Sequence, residues 1–149
     1  MMHPIESHPD FLLGIRLFND GEFWDSHEAI ERVWKPLPPD LPERRCLQAV
    51  ILLAAAFLHR ERARTSPDRS CKPALRCANS ARRKLEGLPD GLLGLDVAQL
   101  RSTIDRCFAP LACGRVPDDI PAPPILVLRP SHDSTTSPRT CTRRPTKFE

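Results

Sequence analysis

The sequence has no apolar run long enough to cross a membrane. Its longest run, Leu47 to Leu58, would rise about 18 Å as a helix, whereas the hydrocarbon layer of a bilayer is about 30 Å thick. The first ten residues, MMHPIESHPD, also lack the basic start and the apolar core of a secretory signal. We therefore expect a cytoplasmic protein that has no membrane partner.

The part of the chain expected to fold has no excess of basic charge. Residues 129–149 hold five basic and two acidic side chains, which leaves 17 of each sign in residues 1–128. Proteins that bind nucleic acid usually carry a basic stripe on their folded part, because contacts with phosphates supply most of the affinity. Nucleic acid, even bound through the basic tail, is therefore the least favoured partner. We expect an unknown small molecule or protein instead, and a homodimer is a further option.

The six cysteines do not form the close pairs that are typical of zinc sites. Cys71 and Cys77, like Cys107 and Cys113, are separated by five residues, which directs the two thiols to different sides of a helix. Because no export signal is present, we expect reduced thiols rather than a disulfide framework.

Proline is distributed unevenly along the chain. It is absent from residues 43–66, whereas seven of the 17 prolines lie in residues 117–145. The last 21 residues, 129–149, are rich in Ser, Thr, Pro and Arg and have almost nothing to bury. We expect one helical domain over residues 1–128, followed by a disordered basic tail over residues 129–149.

The spacing of apolar residues predicts an all-α fold. Five helices are expected over about residues 9–18, 22–34, 43–62, 73–85 and 97–108. The third helix is apolar on almost every side, as is typical of a helix that others surround. Residues 120–128, IPAPPILVL, are expected to lie over the bundle as an extended strap, because their prolines exclude a helix while their apolar side chains require burial. The prediction is a compact helical bundle with a central apolar helix at about residues 43–62.

The second helix carries polar side chains within its apolar stripe. A helical wheel at about 100° per residue places His27 and Glu31 among the aromatic side chains of this stripe. Trp24 and Trp34 flank them and are expected in the core, and Glu28 falls at the edge of the stripe. A buried, ionised carboxylate is costly unless it is paired, hydrogen-bonded or bound to a cation, so Glu31 needs such a partner.

The spacing His27-Glu28-x-x-Glu31 is similar to the H-E-x-x-H arrangement, in which two residues one turn apart hold zinc and the intervening Glu is the general base. Here the last position is Glu instead of His. We expect His27 and Glu31 to bind one divalent metal ion, and Glu28 to position or deprotonate a water molecule. A catalytic metal needs about three protein ligands, so another element must contribute.

Two polar side chains of the third helix are candidates for completing this site. If the second and third helices are antiparallel, Glu31 lies level with Gln48, whereas His59 lies about 16 Å further along the axis from Gln48. We therefore expect Gln48 in the cluster and His59 as a separate group at its mouth, with either one orienting the substrate. Alternatively, His59 and the charged residues 60–62 are simply the end of the helix emerging into solvent.

Two motifs together resemble a known family. The stretch FNDGEFWDSHEAIERVW followed by LQAVILLAAAFLH, and more weakly the PAPPILVL segment, is similar over roughly residues 9–128 to the bacterial and archaeal family called domain of unknown function 309. This resemblance implies a compact all-helical fold with a central helix, and the label of predicted metal-dependent hydrolase that the family has carried. It also implies functional positions at Asp25, His27, Glu28, Glu31, Gln48 and His59. Two positions depart from the family pattern, because Asp25 replaces the usual Glu and Ala49 replaces a common Gly.

The polar cluster has two interpretations. In the first, the protein is a metal-dependent hydrolase that uses the internal His/Glu cluster. In the second, it is a non-enzymatic helical module that binds a ligand or a protein, and His27, Glu31 and Gln48 form a buried hydrogen-bonded network that fixes how the helices pack.

Overall fold

The regular structure of the chain is helical. A computed structural model describes residues 4–66 and 68–129, and these contain no strand. The five helices are α1 (Pro9–Asn19), α2 (Phe23–Trp34), α3 (Pro42–Thr65), α4 (Lys72–Leu85) and α5 (Val97–Phe108), with short 3-10 turns at Leu92–Gly94 and Ala109–Cys113. The predicted all-α fold is confirmed, and α3 extends furthest beyond its predicted end.

Local sequence signals set the ends of the helices. α1, α3 and α4 each have a proline in the first turn, where a missing backbone N–H costs nothing. Asp96 caps α5, since its carboxylate accepts a hydrogen bond of 3.0 Å from the Gln99 N–H. Between α1 and α2, Gly21 has a φ of 82°, the left-handed conformation that a sharp corner requires.

α3 occupies the centre of the bundle, where it packs against α2 and α4. Its Phe57 ring lies 6.1 Å from the ring of Phe18 in α1 and 5.6 Å from that of Phe23 in α2, measured between centroids. The same ring lies 4.8 Å from that of Phe108 in α5. Such aromatic pairs contribute about 0.5–1.5 kcal/mol each beyond the area they bury. One side chain of the central helix therefore connects three other helices, as expected for an apolar helix that others surround.

The C-terminal turns of α3 pack inside the bundle beyond the end of the apolar run at Leu58. Arg60, which the sequence places in a charged segment leading into solvent, is only 7% exposed. Its guanidinium carbon lies 4.8 Å from the centre of the Phe57 ring and 5.8 Å from that of Phe108. It also donates a hydrogen bond of 3.3 Å to the Cys107 carbonyl oxygen, near the end of α5. These contacts offset the cost of burying the charge.

The length of α3 comes partly from its charged ends. It has 24 residues, but charged side chains occupy residues 43–45 and 60–62 on either side of the apolar run. Among the helices of residues 4–66 and 68–129, none is both long enough and apolar enough to span a bilayer.

α1 and α2 approach closely because small groups lie between them. Gly14 of α1 has no room for a side chain, since a methyl group there would lie 2.3 Å from Ile30 Cγ1. The buried Ser26 hydroxyl donates a hydrogen bond of 2.7 Å to the Gly14 carbonyl oxygen. The buried residues of α2 are accordingly small or branched, and they are Ser26, Ala29, Ile30 and Val33. This contact determines which face of α2 turns inward.

The predicted strap lies along the bundle without regular structure and is attached to the end of α1. The Asn19 side-chain amide donates a hydrogen bond of 2.9 Å to the Leu126 carbonyl oxygen, and its oxygen accepts one of 2.7 Å from the Leu126 N–H. The Leu126 side chain is buried, whereas Ile125 and Val127 on either side of it are exposed. The strap therefore alternates between the core and solvent.

A second attachment lies at the end of the strap. The Arg129 N–H donates a hydrogen bond of 2.9 Å to the Gly94 carbonyl oxygen, and the Arg129 guanidinium group pairs with Asp96 at 3.2 Å. Arg129 is therefore attached to the bundle, although the sequence places it at the start of the tail. The remainder of the predicted tail, residues 130–149, lies outside the described residues.

We expect Gly14→Ala to destabilise the protein, although alanine favours a helix over glycine by about 1 kcal/mol. The added methyl group would overpack against Ile30, which typically costs about 1–3 kcal/mol. Urea unfolding should show that the free energy of unfolding falls by about 1 kcal/mol. In the double variant Gly14→Ala/Ile30→Ala, the cost should be smaller than the sum of the two single costs, because the overpacked atoms are gone. Strictly additive costs would contradict the close contact.

Candidate functional site

The buried face of α2 is rotated about the helix axis, away from the face that its aromatic residues predict. Its buried residues, which pack against α1 and α3, are Ser26, Ala29, Ile30 and Val33. Trp24 is 57% exposed and Trp34 is half-buried, so the prediction that Trp24 lies in the core is wrong. The reason is the close contact at Gly14, which turns Ser26 and Ile30 of α2 towards α1. His27 and Glu31 are consequently half-buried at the edge of that face, not inside it.

Three side chains converge at this edge. His27, Glu28 and Glu31 each offer a ligand atom, and these atoms lie within 4.8 Å of one another. Ligands that are 2.0–2.2 Å from one ion lie at most about 4.4 Å apart, so small side-chain rotations would let His27 and Glu31 hold one cation, with Glu28 beside it. In residues 4–66 and 68–129 this is the only group of three or more His, Cys, Asp or Glu side chains so arranged, and it includes no cysteine.

His27 is held in position by stacking and not by a hydrogen bond. Its ring lies parallel to that of Trp24, with 5.6 Å between centroids and 4° between planes. Its Nδ1 atom is buried and has no hydrogen-bond partner. A buried polar atom without a partner is costly, so a ligand that satisfied this imidazole would be favourable. Imidazole nitrogen is also a preferred ligand of zinc and other transition metals, so His27 fits a cation.

The two carboxylates of the cluster differ in their surroundings. The Glu31 side chain is 31% exposed and pairs with Lys35, one turn later, at 3.6 Å. Glu28 is exposed and interacts electrostatically with Arg32. An exposed pair such as Glu31 with Lys35 is worth about 1 kcal/mol or less, so a divalent cation would compete with Lys35 easily. Both carboxylates therefore remain available to an ion or to a water molecule.

A cavity of about 240 Å³ adjoins this cluster, between α2 and α3. Seven residues line it, and they are Phe23, Trp24, His27, Ala55, Leu58, His59 and Arg62. At about 30 Å³ for each water molecule, its volume corresponds to about eight waters. The cavity thus has the size of a small organic molecule, with mainly apolar walls and a few polar groups. His27 belongs both to the cluster and to the cavity.

His59 lines the cavity but is not one of the three clustered groups. Burial lowers the pKa of His59, and the positive charges of Arg62, Arg69 and Arg76 lower this pKa further. His59 is therefore neutral at neutral pH, where one ring nitrogen donates a hydrogen bond and the other accepts one.

The register of α2 and α3 is visible in two ring contacts. The Arg44 guanidinium group lies 4.8 Å from the centre of the Trp34 ring. Near the other end of α2, Phe23 stacks on Phe57 with an angle of 24° between the rings. These contacts correspond to the antiparallel register that counting along the sequence predicts.

Gln48 makes its contact with α4. Its side-chain oxygen accepts a hydrogen bond of 3.0 Å from the Lys84 ammonium group. Within residues 4–66 and 68–129, no hydrogen bond connects Gln48 with His27 or Glu31. The participation of Gln48 in the site stays a prediction.

Reasoning from the sequence missed Arg62 as a site residue. A signal for it existed, because Arg62 follows Ala55 by seven residues and Gln48 by fourteen, so the three share one stripe of α3. No comparable signal marks the exposure of Trp24. That exposure follows from the contact between α1 and α2, which involves residues distant in sequence from Trp24.

A larger cleft of about 460 Å³ lies between α5 and the strap. Its lining residues are Leu95, Asp96, Gln99, Leu100, Thr103 and Arg106 near and along α5, Pro124, Ile125, Leu126 and Val127 of the strap, and Arg129. Asp96 is the acidic residue among these described residues, and it pairs with Arg129. The cleft contains no histidine, cysteine or glutamate and shares no lining residue with the cavity at His27. Of these two cavities, the smaller one is therefore the one that adjoins the group of possible metal ligands in the described part of the chain.

Comparison with known proteins relates this architecture to a family. The family model described as domain of unknown function (DUF309) matches residues 11–68, which span most of α1 and all of α2 and α3. Among solved structures, the chain is similar to the conserved hypothetical protein TTHA0068 from Thermus thermophilus, with 37% sequence identity and a TM-score of 0.54. This match covers 68% of the chain and 97% of the Thermus protein. No curated protein matches. The chain belongs to the DUF309 family of uncharacterised helical proteins.

Proposed function

We propose that the protein is a hydrolase that depends on a divalent metal ion and acts on a small molecule. The observation that carries this proposal is the convergence of His27, Glu28 and Glu31 beside a cavity, with Nδ1 of His27 buried and unpartnered. His27 and Glu31 would hold the cation, one helical turn apart on α2. Imidazole and carboxylate are the ligands that catalytic zinc and related metals use.

A bound divalent cation would supply Lewis acidity and a water molecule of lowered pKa. Glu28 is the general base in this proposal, because its exposed carboxylate at the rim of the cluster can accept a proton from the attacking water. The water oxygen forms a bond to the carbonyl carbon or phosphorus of the substrate, and the bond to the leaving group breaks. Glu28 then returns the proton to the leaving group.

His59 orients the substrate in this proposal. It lines the same cavity as His27 and is neutral, so its ring can donate or accept a hydrogen bond. Gln48 is the second candidate for this role. Its side-chain oxygen, which accepts a hydrogen bond from Lys84, would then either bind the substrate as well or lose the bond to Lys84. Phe23 and Trp24 supply apolar walls that limit the access of bulk water.

The alternative is a non-enzymatic helical module that binds a ligand or a protein. A structural role for the polar cluster requires hydrogen bonds among His27, Glu31 and Gln48, and none joins these residues in the described part of the chain. One observation favours ligand binding without chemistry. Among the described residues that line the larger cleft beside the strap, the carboxylate of Asp96 is already paired with Arg129, and none is a histidine, cysteine or glutamate. On this alternative, Glu31→Gln would lower the stability of the protein without removing any activity.

Metal binding is the first test. We expect untagged, chelator-treated protein to bind about one Zn²⁺ or Mn²⁺ per chain in calorimetric titration. Loss of a residue that only supports a metal ligand typically weakens metal binding by about 10- to 100-fold. His27→Ala and Glu31→Gln remove proposed ligands, so each should weaken binding at least as much. A metal concentration of 100 times Kd should stabilise the fold by about 2.7 kcal/mol.

Glu22→Gln is the matched control for metal binding. Glu22 is exposed at the N-terminal end of the same helix, and its substitution removes one negative charge, but it does not belong to the clustered group. This variant should bind metal like the wild type. An equal loss in all three variants would show that general charge, and not the cluster, attracts the ion.

Hydrolysis is the second test. With metal at saturation, we expect the protein to cleave a simple ester or phosphodiester probe, such as 4-nitrophenyl acetate or bis(4-nitrophenyl) phosphate. Glu28→Gln should lower kcat by about 10²- to 10⁴-fold, the usual contribution of a general base, while metal affinity falls much less. Equal turnover by the wild type and by Glu28→Gln would contradict the assigned role.

The titration of His59 in metal-free protein is a third test. Burial and then the nearby arginines lower the pKa of His59 in the folded protein. Between this lowered pKa and about pH 6.5, His59 therefore binds a proton in the unfolded chain but stays neutral in the folded chain. This contribution to stability is present above about pH 6.5 and is lost as the pH falls towards the lowered pKa. NMR should show His59 titrating below the ordinary histidine range, and His59→Gln should lose less stability than the wild type as the solution is acidified. A normal His59 pKa would contradict the prediction.

A further inference from the structure

We propose that the cavity at His27 takes a small organic anion, whose charged group binds Arg62 and whose apolar part lies against Phe23 and Leu58. The inference rests on the proposed function only in one respect, namely that the anion is the substrate of the proposed reaction. The binding of the anion itself requires no metal, so it can be tested separately.

Arg62 is the cation that lines the cavity, and it has no carboxylate partner in residues 4–66 and 68–129. The acidic residue next to it in the chain, Glu61, is already engaged, because both Glu61 oxygens accept hydrogen bonds from Arg64. The Arg62 guanidinium group therefore keeps its hydrogen-bond donors for another anion. A guanidinium group binds carboxylate and phosphate particularly well, because its donors form a planar fork.

Four surface arginines of the described residues form ion pairs with carboxylates, and they are Arg32, Arg64, Arg82 and Arg129. Within this part of the chain, Arg62 shares its unpaired state with others, such as Arg16, but differs from Arg16 in that it lines the cavity. The positive charge of Arg62 is therefore available to a ligand inside the cavity.

Two further cations strengthen the positive potential at this end of the cavity. Arg69 and Arg76 lie close enough to His59 to lower its pKa together with Arg62, and neither forms an ion pair with a carboxylate in the described part of the chain. Clefts with one sign of charge and apolar walls concentrate ligands of the opposite sign. A small anion would therefore be attracted to this end of the cavity.

The surroundings of His27 have the opposite charge. His27 lines the cavity and lies next to the carboxylates of Glu28 and Glu31, which would repel a negative group. An anion would therefore enter with its charged group towards Arg62 and its neutral part towards His27. The volume of about 240 Å³ limits the ligand to about the size of eight water molecules, which is close to that of one aromatic or short acyl acid.

The test uses benzoate and its neutral analogue benzamide as probes, with full-length, chelator-treated protein. We expect calorimetric or NMR titration to show benzoate binding about tenfold more tightly than benzamide, with shifts of the Trp24 indole and His59 ring signals. Arg62→Gln should weaken benzoate binding by about tenfold, as expected for the loss of one charge-assisted hydrogen bond, and should leave benzamide binding unchanged.

Arg16→Gln is the matched control, because Arg16 is an exposed arginine on α1 outside the cavity and the substitution removes the same charge. It should leave benzoate binding unchanged. Equal affinity for the two probes, no binding of benzoate, or the same loss in Arg16→Gln and Arg62→Gln would each overturn the proposal. Benzoate binding that requires Arg62 in a protein that fails to bind metal would instead support the anion site and refute the metal site.

Discussion

The burial of α3 is the constraint on which the rest of the structure depends. Its run from Leu47 to Leu58 is apolar on nearly every side, so the neighbouring helices must cover it on every side. Phe57 shows how this is done, because its ring touches rings from three other helices. α2 must cover α3 and also contact α1 at Gly14, and these two contacts together fix its rotation. That rotation places His27 at an edge, between the core and solvent.

This edge position keeps the polar cluster available for chemistry. A carboxylate deep in the core would have to be neutralised or paired within the protein, whereas Glu28 and Glu31 remain accessible to solvent. His27 is fixed by the Trp24 ring and faces the cavity without a hydrogen bond that an ion would have to break. Because the DUF309 family gives a fold without a function, the proposed activity rests on this site alone.

Groups of both charges lie in or beside the cavity, and they come from the same pair of helices. α2 contributes the carboxylates beside His27, and α3 contributes Arg62 beside His59. The antiparallel register of the two helices separates these groups and leaves apolar walls between them. On our proposal, this arrangement selects a ligand with one negative and one neutral end, because the reversed orientation would place the negative group beside Glu28 and Glu31.

The five α-helices and most of their limits could be predicted from the sequence, because first-turn prolines, the Asp96 cap and the period of apolar residues act within a few residues of one another. The grouping of His27, Glu28 and Glu31 could be predicted for the same reason, since residues three and four apart share one side of a helix. Only the tertiary structure decided that Trp24 is exposed and that Arg62 faces the same cavity as His27. Those facts depend on how closely α1, α2 and α3 pack, and packing distance is set by pairs of residues that lie far apart in the chain.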